Sequence, residues 1–113
     1  MTPRLTSRMT VDALIRRVAA EGGFATVLAR GDDSAGAILL LCSDRGVTTA
    51  LLERTVDARG DYRWTPCGPQ HVESANARDS YIQRRREQDP DLWLIELDIA
   101  DAERFAAETT GFG

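Results

Sequence analysis

All 14 basic residues of this 113-residue chain are arginine, and it holds one histidine and two cysteines. Without lysine there is no P-loop with its phosphate-gripping amine, no Schiff-base nucleophile and no Ser-Lys dyad. A single imidazole excludes a two-histidine zinc site. Chemistry here rests on carboxylates, guanidinium groups, Cys42, Cys67 and His71. Cys67 and His71 form the one candidate thiol–imidazole pair, in the loop Pro66-Cys67-Gly68-Pro69-Gln70-His71. Such a pair is a nucleophile only if the thiol pKa is lowered and the base lies within hydrogen-bond reach. Cys42 sits in an apolar run and reads as a small core residue.

The strongest chemical pattern is on the second expected helix. Ala75, Tyr81 and Ile82 share one face there. Arg78 and Arg85, at i−4 and i+3 from Ile82, fall on that same face. An inward guanidinium needs a carboxylate or a wet groove, because an unpaired buried charge is very costly. Glu96 and Asp98, on one face of the last expected strand, are the expected partners. Either the arginines make structural ion pairs along snorkelling stems, or they line a pocket for an anionic ligand or a partner's carboxylate. With Asp91 and Trp93 from the following turn, the candidate ligand- or partner-binding set is Arg78, Tyr81, Arg85, Asp91, Trp93, Glu96 and Asp98. No catalytic residue, metal ligand or cofactor is assigned.

Other charged motifs carry less. Arg84-Arg85-Arg86 is the one basic run, but Asp79, Glu87, Asp89 and Asp91 surround it and the net charge is −4. That balance argues against nucleic-acid binding. Asp32 and Asp33 suit turn formation rather than a calcium loop, whose ligand spacing is absent.

The elements that must position these residues follow from periodicity. Val11, Leu14, Ile15 and Val18 make the apolar stripe of a first helix with Thr10 as N-cap, ended by Gly22-Gly23. Strands are expected at Phe24–Ala29, Ala35–Cys42, Val47–Val56 and Tyr62–Thr65, joined by short turns as an antiparallel meander. The unbroken apolar second strand suggests cover on both faces. A second helix runs from about residue 74 or 76 to 88 and stops at Asp89-Pro90-Asp91. The last strand is Leu92–Ile99, beside the first strand or at the opposite edge. The expected fold is α+β: a single layer of about five mostly antiparallel strands with two helices packed on one face. One domain is expected over 1–113, with 1–4 and 106–113 loose apart from a helical turn around Phe105.

Three stretches are familiar in this order. They are Leu14-Ile15-Arg16-Arg17-Val18 with Gly22-Gly23-Phe24-Ala25; Ala29-Arg30-Gly31-Asp32 with Ala35-Gly36-Ala37-Ile38; and Tyr81-Ile82 through Arg84-Arg85 to Asp89-Pro90-Asp91-Leu92-Trp93. On these the chain resembles the bacterial domain-of-unknown-function 1491 family over about residues 5 to 100. The resemblance implies a small stand-alone protein with no established activity, so it assigns no catalytic residues.

No run approaches the ~20 apolar residues of a membrane span, no secretory signal is evident, and two dissimilar cysteines suit a reduced cytoplasmic setting. The expected function is a non-enzymatic binding or protein-interaction module, with an unknown protein partner or a small anionic ligand. A homodimer is expected if the last strand lies at a sheet edge. The alternative is a small enzyme acting on an anionic substrate, with Arg78 or Arg85 as clamp and Glu96 or Asp98 as acid or base.

Overall fold

The computed structural model describes residues 6–70 and 75–109. The elements are α1 (Ser7–Ala20), β1 (Phe24–Ala29), β2 (Ile38–Asp44), β3 (Val47–Val56), β4 (Tyr62–Pro66), α2 (Ala75–Gln88), β5 (Trp93–Asp98) and α3 (Ala102–Thr109). The class is α+β, as expected, with three helices rather than two. α3 extends beyond a turn at Phe105 and takes in residues 106–109, with Phe105 and Ala106 buried. The cap of α1 is Thr6 rather than Thr10. The Thr6 side chain accepts from the Met9 N–H, and the Thr10 hydroxyl donates back to the Thr6 carbonyl.

The five strands form one sheet in the order β1-β5-β2-β3-β4. The meander therefore covers β2, β3 and β4 only. The last strand is neither edge: β5 is inserted between β1 and β2, antiparallel to the first and parallel to the second. It does lie beside β1, one of its two expected places. The central position suits its side chains, since Trp93, Leu94, Ile95 and Leu97 are all buried. This insertion removes the homodimer expected through an exposed β5 edge.

The sheet is covered on both faces, not one. Ile38, Leu40, Cys42, Trp93, Ile95 and Leu97 pack with Val11, Leu14 and Val18 of α1 and Phe105 and Ala106 of α3. Leu39, Leu51, Leu92 and Leu94 face the other way and meet Ile82 of α2. The reason lies in the period-2 alternation of a strand: β2 is apolar at consecutive positions, so each face needs its own helix. A helix on one face alone would leave Leu39, Leu51 and Leu94 in water, at roughly 1.5–3 kcal/mol each.

The β1–β5 pairing contains a bulge. Val27 is opposite Ile95 and Ala29 opposite Leu94, so Leu28 is the extra residue. The bulge re-aims the strand. Ala25, before it, packs with the α1 face, and Ala29, after it, packs with the α2 face.

Candidate functional site

The seven candidate side chains fall in three places. The first is the inner face of α2. Arg85 is held in a two-pronged ion pair, Nη1 to Glu53 Oε1 at 2.9 Å and Nη2 to Glu53 Oε2 at 2.7 Å. The same Nη1 donates to the Tyr81 hydroxyl at 2.8 Å. The side chains of Arg85 and Glu53 are 23% and 24% exposed, so the pair is shielded on most sides. The Glu53 hydrogen bonds hold the Arg85 guanidinium firmly charged, raising its pKa against the opposing effect of burial. The sequence pointed to Glu96 or Asp98 as the partner. Glu53 takes that role because β3 runs beneath this end of α2, with Glu53 paired to Leu39 across the β2–β3 ladder.

Tyr81 packs with Cys67 in the cluster on this face of the sheet. Gly68 lies against the Tyr81 ring, where a Cβ would fall 2.7 Å from Cδ1. Burial pushes the Cys67 thiol up and outweighs the opposing influence of Tyr81 and Arg85. The same desolvation raises Tyr81 itself. A thiol held protonated is a poor nucleophile at neutral pH. Cys67 therefore packs beneath Tyr81 rather than poised for attack, and His71 lies outside the described residues. Cys42 is fully buried, and desolvation pushes its pKa up to about 12.

One turn nearer the start of α2, Arg78 is only 8% exposed. Its Nε and Nη1 are buried and meet no hydrogen-bond partner among the described residues. Arg78 and Arg85 thus both turn inward, but among the described residues only Arg85 meets a carboxylate.

The second place is the end of β5. Glu96 accepts from the Ser43 hydroxyl at 3.1 Å. Asp98 accepts from the Arg45 and Gly46 N–H groups at 2.8 and 2.9 Å. Arg45 and Gly46 have positive φ, so Asp98 secures a tight turn between β2 and β3. Neither carboxylate forms an ion pair with Arg78 or Arg85 among the described residues.

The third place is the start of β5. The Asp91 carbonyl accepts from the Asp32 N–H at 3.0 Å. The Trp93 indole donates to the Asp32 carbonyl at 2.7 Å. Gly31 and Gly36 press on this turn, and a Cβ at either would collide with the Asp91 carbonyl oxygen. The Asp32 carboxylate holds the loop from within, accepting from the Ser34 and Ala35 N–H groups. Trp93 is 2% exposed and belongs to the core shared with α1 and α3. Its ring offers no free contact surface.

A concave feature lies elsewhere. A groove of about 760 Å³ runs between α2 and the β1–β5 side of the sheet. Leu28, Leu41, Leu92 and Leu94 form its floor, with Ile82 on the α2 wall. Asp79, Glu87 and Asp89 stand on its rim, with Arg30 and Arg86 opposing. None of the seven candidate residues lines it. Sequence reasoning missed it because it arises where α2 stops short of β1. α2 buries only Arg78 and Ile82, and β1 beyond it leaves Phe24 74% and Leu28 46% exposed. Among the described residues no group of three His, Cys, Asp or Glu side chains gathers as metal ligands. Among the described residues no helix is long and apolar enough to cross a membrane.

A five-stranded mixed sheet with one helix-backed core on each face defines an α+β protein whose polar side chains mostly tie elements together. The chain belongs to the family described as "Protein of unknown function (DUF1491)", whose sequence model matches residues 5–107. It is similar to a DUF1491 family protein from Caulobacter crescentus CB15. The crystal structure of that protein shares 34% identity, covers 90% of this chain and 94% of its own, and gives a TM-score of 0.77. An NMR structure of a DUF1491 family protein from the same organism gives a TM-score of 0.73 over 93% of this chain and 94% of its own, at 34% identity. A protein from A. tumefaciens, solved in solution, is 32% identical over 86% of this chain and 87% of its own, with a TM-score of 0.64. No match is found among curated proteins.

Proposed function

We propose that this chain is a non-enzymatic protein-interaction module, and that its contact surface is the groove between α2 and the β1–β5 side of the sheet. The observation that carries the reading is the groove's lining. Its floor is aliphatic, while the candidate acids and thiol lie outside it, bonded or buried. Catalytic pockets gather a few convergent polar groups with perturbed pKa values. The accessible Leu28 and the half-buried Leu41 instead offer an apolar contact for a partner's anchor side chain. The rim sets the partner's charge. Three acids, Asp79, Glu87 and Asp89, face two arginines, and Arg30 is already engaged with Asp33 at 3.3 Å. The occupant is therefore a protein segment with one or two large aliphatic or aromatic side chains flanked by basic residues.

A photo-crosslinking side chain at Gln83, on the groove wall, tests this against the same group at Arg16 on exposed α1. The expected result is an adduct at Gln83 only. A synthetic peptide covering the crosslinked segment should then bind the purified protein and lose at least tenfold in affinity to the double variant Asp79→Arg/Glu87→Arg. Equal adducts from Arg16, or binding indifferent to the reversed rim, would overturn the reading.

A second reading keeps the anionic ligand. It is favoured by one observation, the two buried donors of Arg78 without a partner among the described residues. Such donors cost about 1–3 kcal/mol or more when left unmet, and a carboxylate or phosphate would meet them. Isothermal titration with inorganic phosphate and with acetate tests it: binding in the wild type and none in Arg78→Met supports the reading, and no heat in either refutes it.

A further inference from the structure

The two edges of the sheet are built differently. β4 is short, carries Arg63 and ends at Pro66, features that discourage another strand from pairing. β1, one residue longer and bulged at Leu28, lacks the charge and the proline. Its sequence, Phe-Ala-Thr-Val-Leu-Ala, contains no charge and no proline. Phe24, Val27 and Leu28 are 74%, 42% and 46% exposed. Among the described residues no other strand, turn or loop makes a backbone hydrogen bond to its outer side. Ahead of the bulge, an edge so apolar and uncharged is a template for pairing.

We propose that β1 pairs antiparallel with β1 of a second copy, across a two-fold axis normal to the sheet at Thr26. The geometry selects the occupant and the register. A two-fold axis between antiparallel strands keeps each face on its own side, so paired positions must have the same parity. Centred on Thr26, the pairing sets Phe24 against the partner's Leu28, Ala25 against the partner's Val27, and Thr26 against itself. The most exposed large apolar side chain, Phe24, thereby gains an apolar neighbour twice, and the two threonines meet in a favourable cross-strand pair. Small Ala25 opposite Val27 avoids crowding on the other face. The ladder brings no like charges together. The bulge at Leu28 lies at the end of the ladder and leaves residues 24–27 regular.

Two consequences follow. The sheet becomes continuous across ten strands. Because the axis is normal to it, both grooves open on the same side, so a partner with two anchor segments engages both with gained effective concentration. The pairing itself does not depend on what fills the groove. A six-residue strand contact lies below the ~1,200–2,000 Å² of a stable interface, so monomer and dimer exchange with concentration.

Sedimentation equilibrium of the whole chain from about 10 μM to about 1 mM tests this, with Thr26→Lys as the variant. Thr26 is exposed in the single chain, and lysine there sets like charges face to face on the axis. The wild type should move from 12.4 kDa toward twice that mass, while Thr26→Lys stays monomeric at every concentration. Mild oxidation of Thr26→Cys in a Cys42→Ala/Cys67→Ala background should yield a covalent dimer. Val27→Cys in that background should yield much less. A wild type that stays monomeric at 1 mM by this measurement, a dimer that survives Thr26→Lys, or crosslinking from Val27→Cys in preference to Thr26→Cys would each overturn the proposal. The groove reading stands or falls on the Gln83 adducts, so the two fail separately.

Discussion

Replacing Arg85 by alanine removes the main polar tie between α2 and the sheet. α2 has one buried apolar residue, Ile82, so its docking depends on the Glu53–Arg85–Tyr81 chain more than is usual for a helix. A fully exposed ion pair contributes up to ~1 kcal/mol, and breaking a fully buried one costs ~3–5 kcal/mol. With both partners about three-quarters buried and two fork bonds of normal length, the expected loss is about 2 kcal/mol. In a domain this size that lowers Tm by roughly 8 °C. Arg85→Lys should recover little, since a point charge cannot reproduce the planar fork. Urea unfolding of Arg85→Ala, Glu53→Ala and the double variant closes a thermodynamic cycle. A coupling above about 1 kcal/mol is expected. A loss under about 0.5 kcal/mol for Arg85→Ala, or simple additivity, would refute the idea that this pair anchors the helix.

Arg78→Met removes two buried donors that have no partner among the described residues and keeps the aliphatic volume, so the purified variant should gain roughly 1 kcal/mol in urea unfolding; a loss of that size would mean Arg78 is satisfied. Gly36→Ala drives a Cβ into the Asp91 carbonyl, which is backbone and cannot swing aside. It should destabilise by more than about 2 kcal/mol, read by thermal denaturation. The pH dependence follows from Cys42, whose folded pKa is raised to about 12 by burial. Above an ordinary thiol pKa the unfolded chain loses this proton and the folded chain keeps it, so stability falls as pH climbs from about 9 toward about 12. Cys42→Ala should flatten that slope in denaturation curves taken across the range.

Much of the architecture was legible because it lies in local pattern. β1 and β3 have the bounds their alternation suggests, and Ala75–Gln88 is bracketed by the loop before it and Pro90 after it. The run Leu39-Leu40-Leu41 signalled cover on two faces, and that signal contradicts placing both helices on one. Nothing in the spacing of Trp93 to Asp98 says that this strand slips between β1 and β2, since a crossover reaches any position in the sheet. The inward turn of Arg78 and Arg85 was readable from helical phase alone. The partner of Arg85 was not. Glu53 sits among Leu52, Arg54 and Thr55 and looks like a solvated strand residue until the ladder sets it opposite Leu39. The groove was invisible for a different reason: it is the space left by α2 being narrow over a wide sheet, and no residue pattern encodes an absence of cover.

The insertion of β5 also sets the order of events in folding. β1 and β2 are neighbours in the chain yet never pair, and they find their shared partner 65–74 and 55 residues downstream, respectively. Until that segment arrives, the amino-terminal helix and its strand have no ladder to join, while the β2-β3-β4 ribbon is free to form early. Long-range closure of this kind slows folding. It places the last step at the junction of the two halves, where truncation before Trp93 would leave both strands open to foreign pairing.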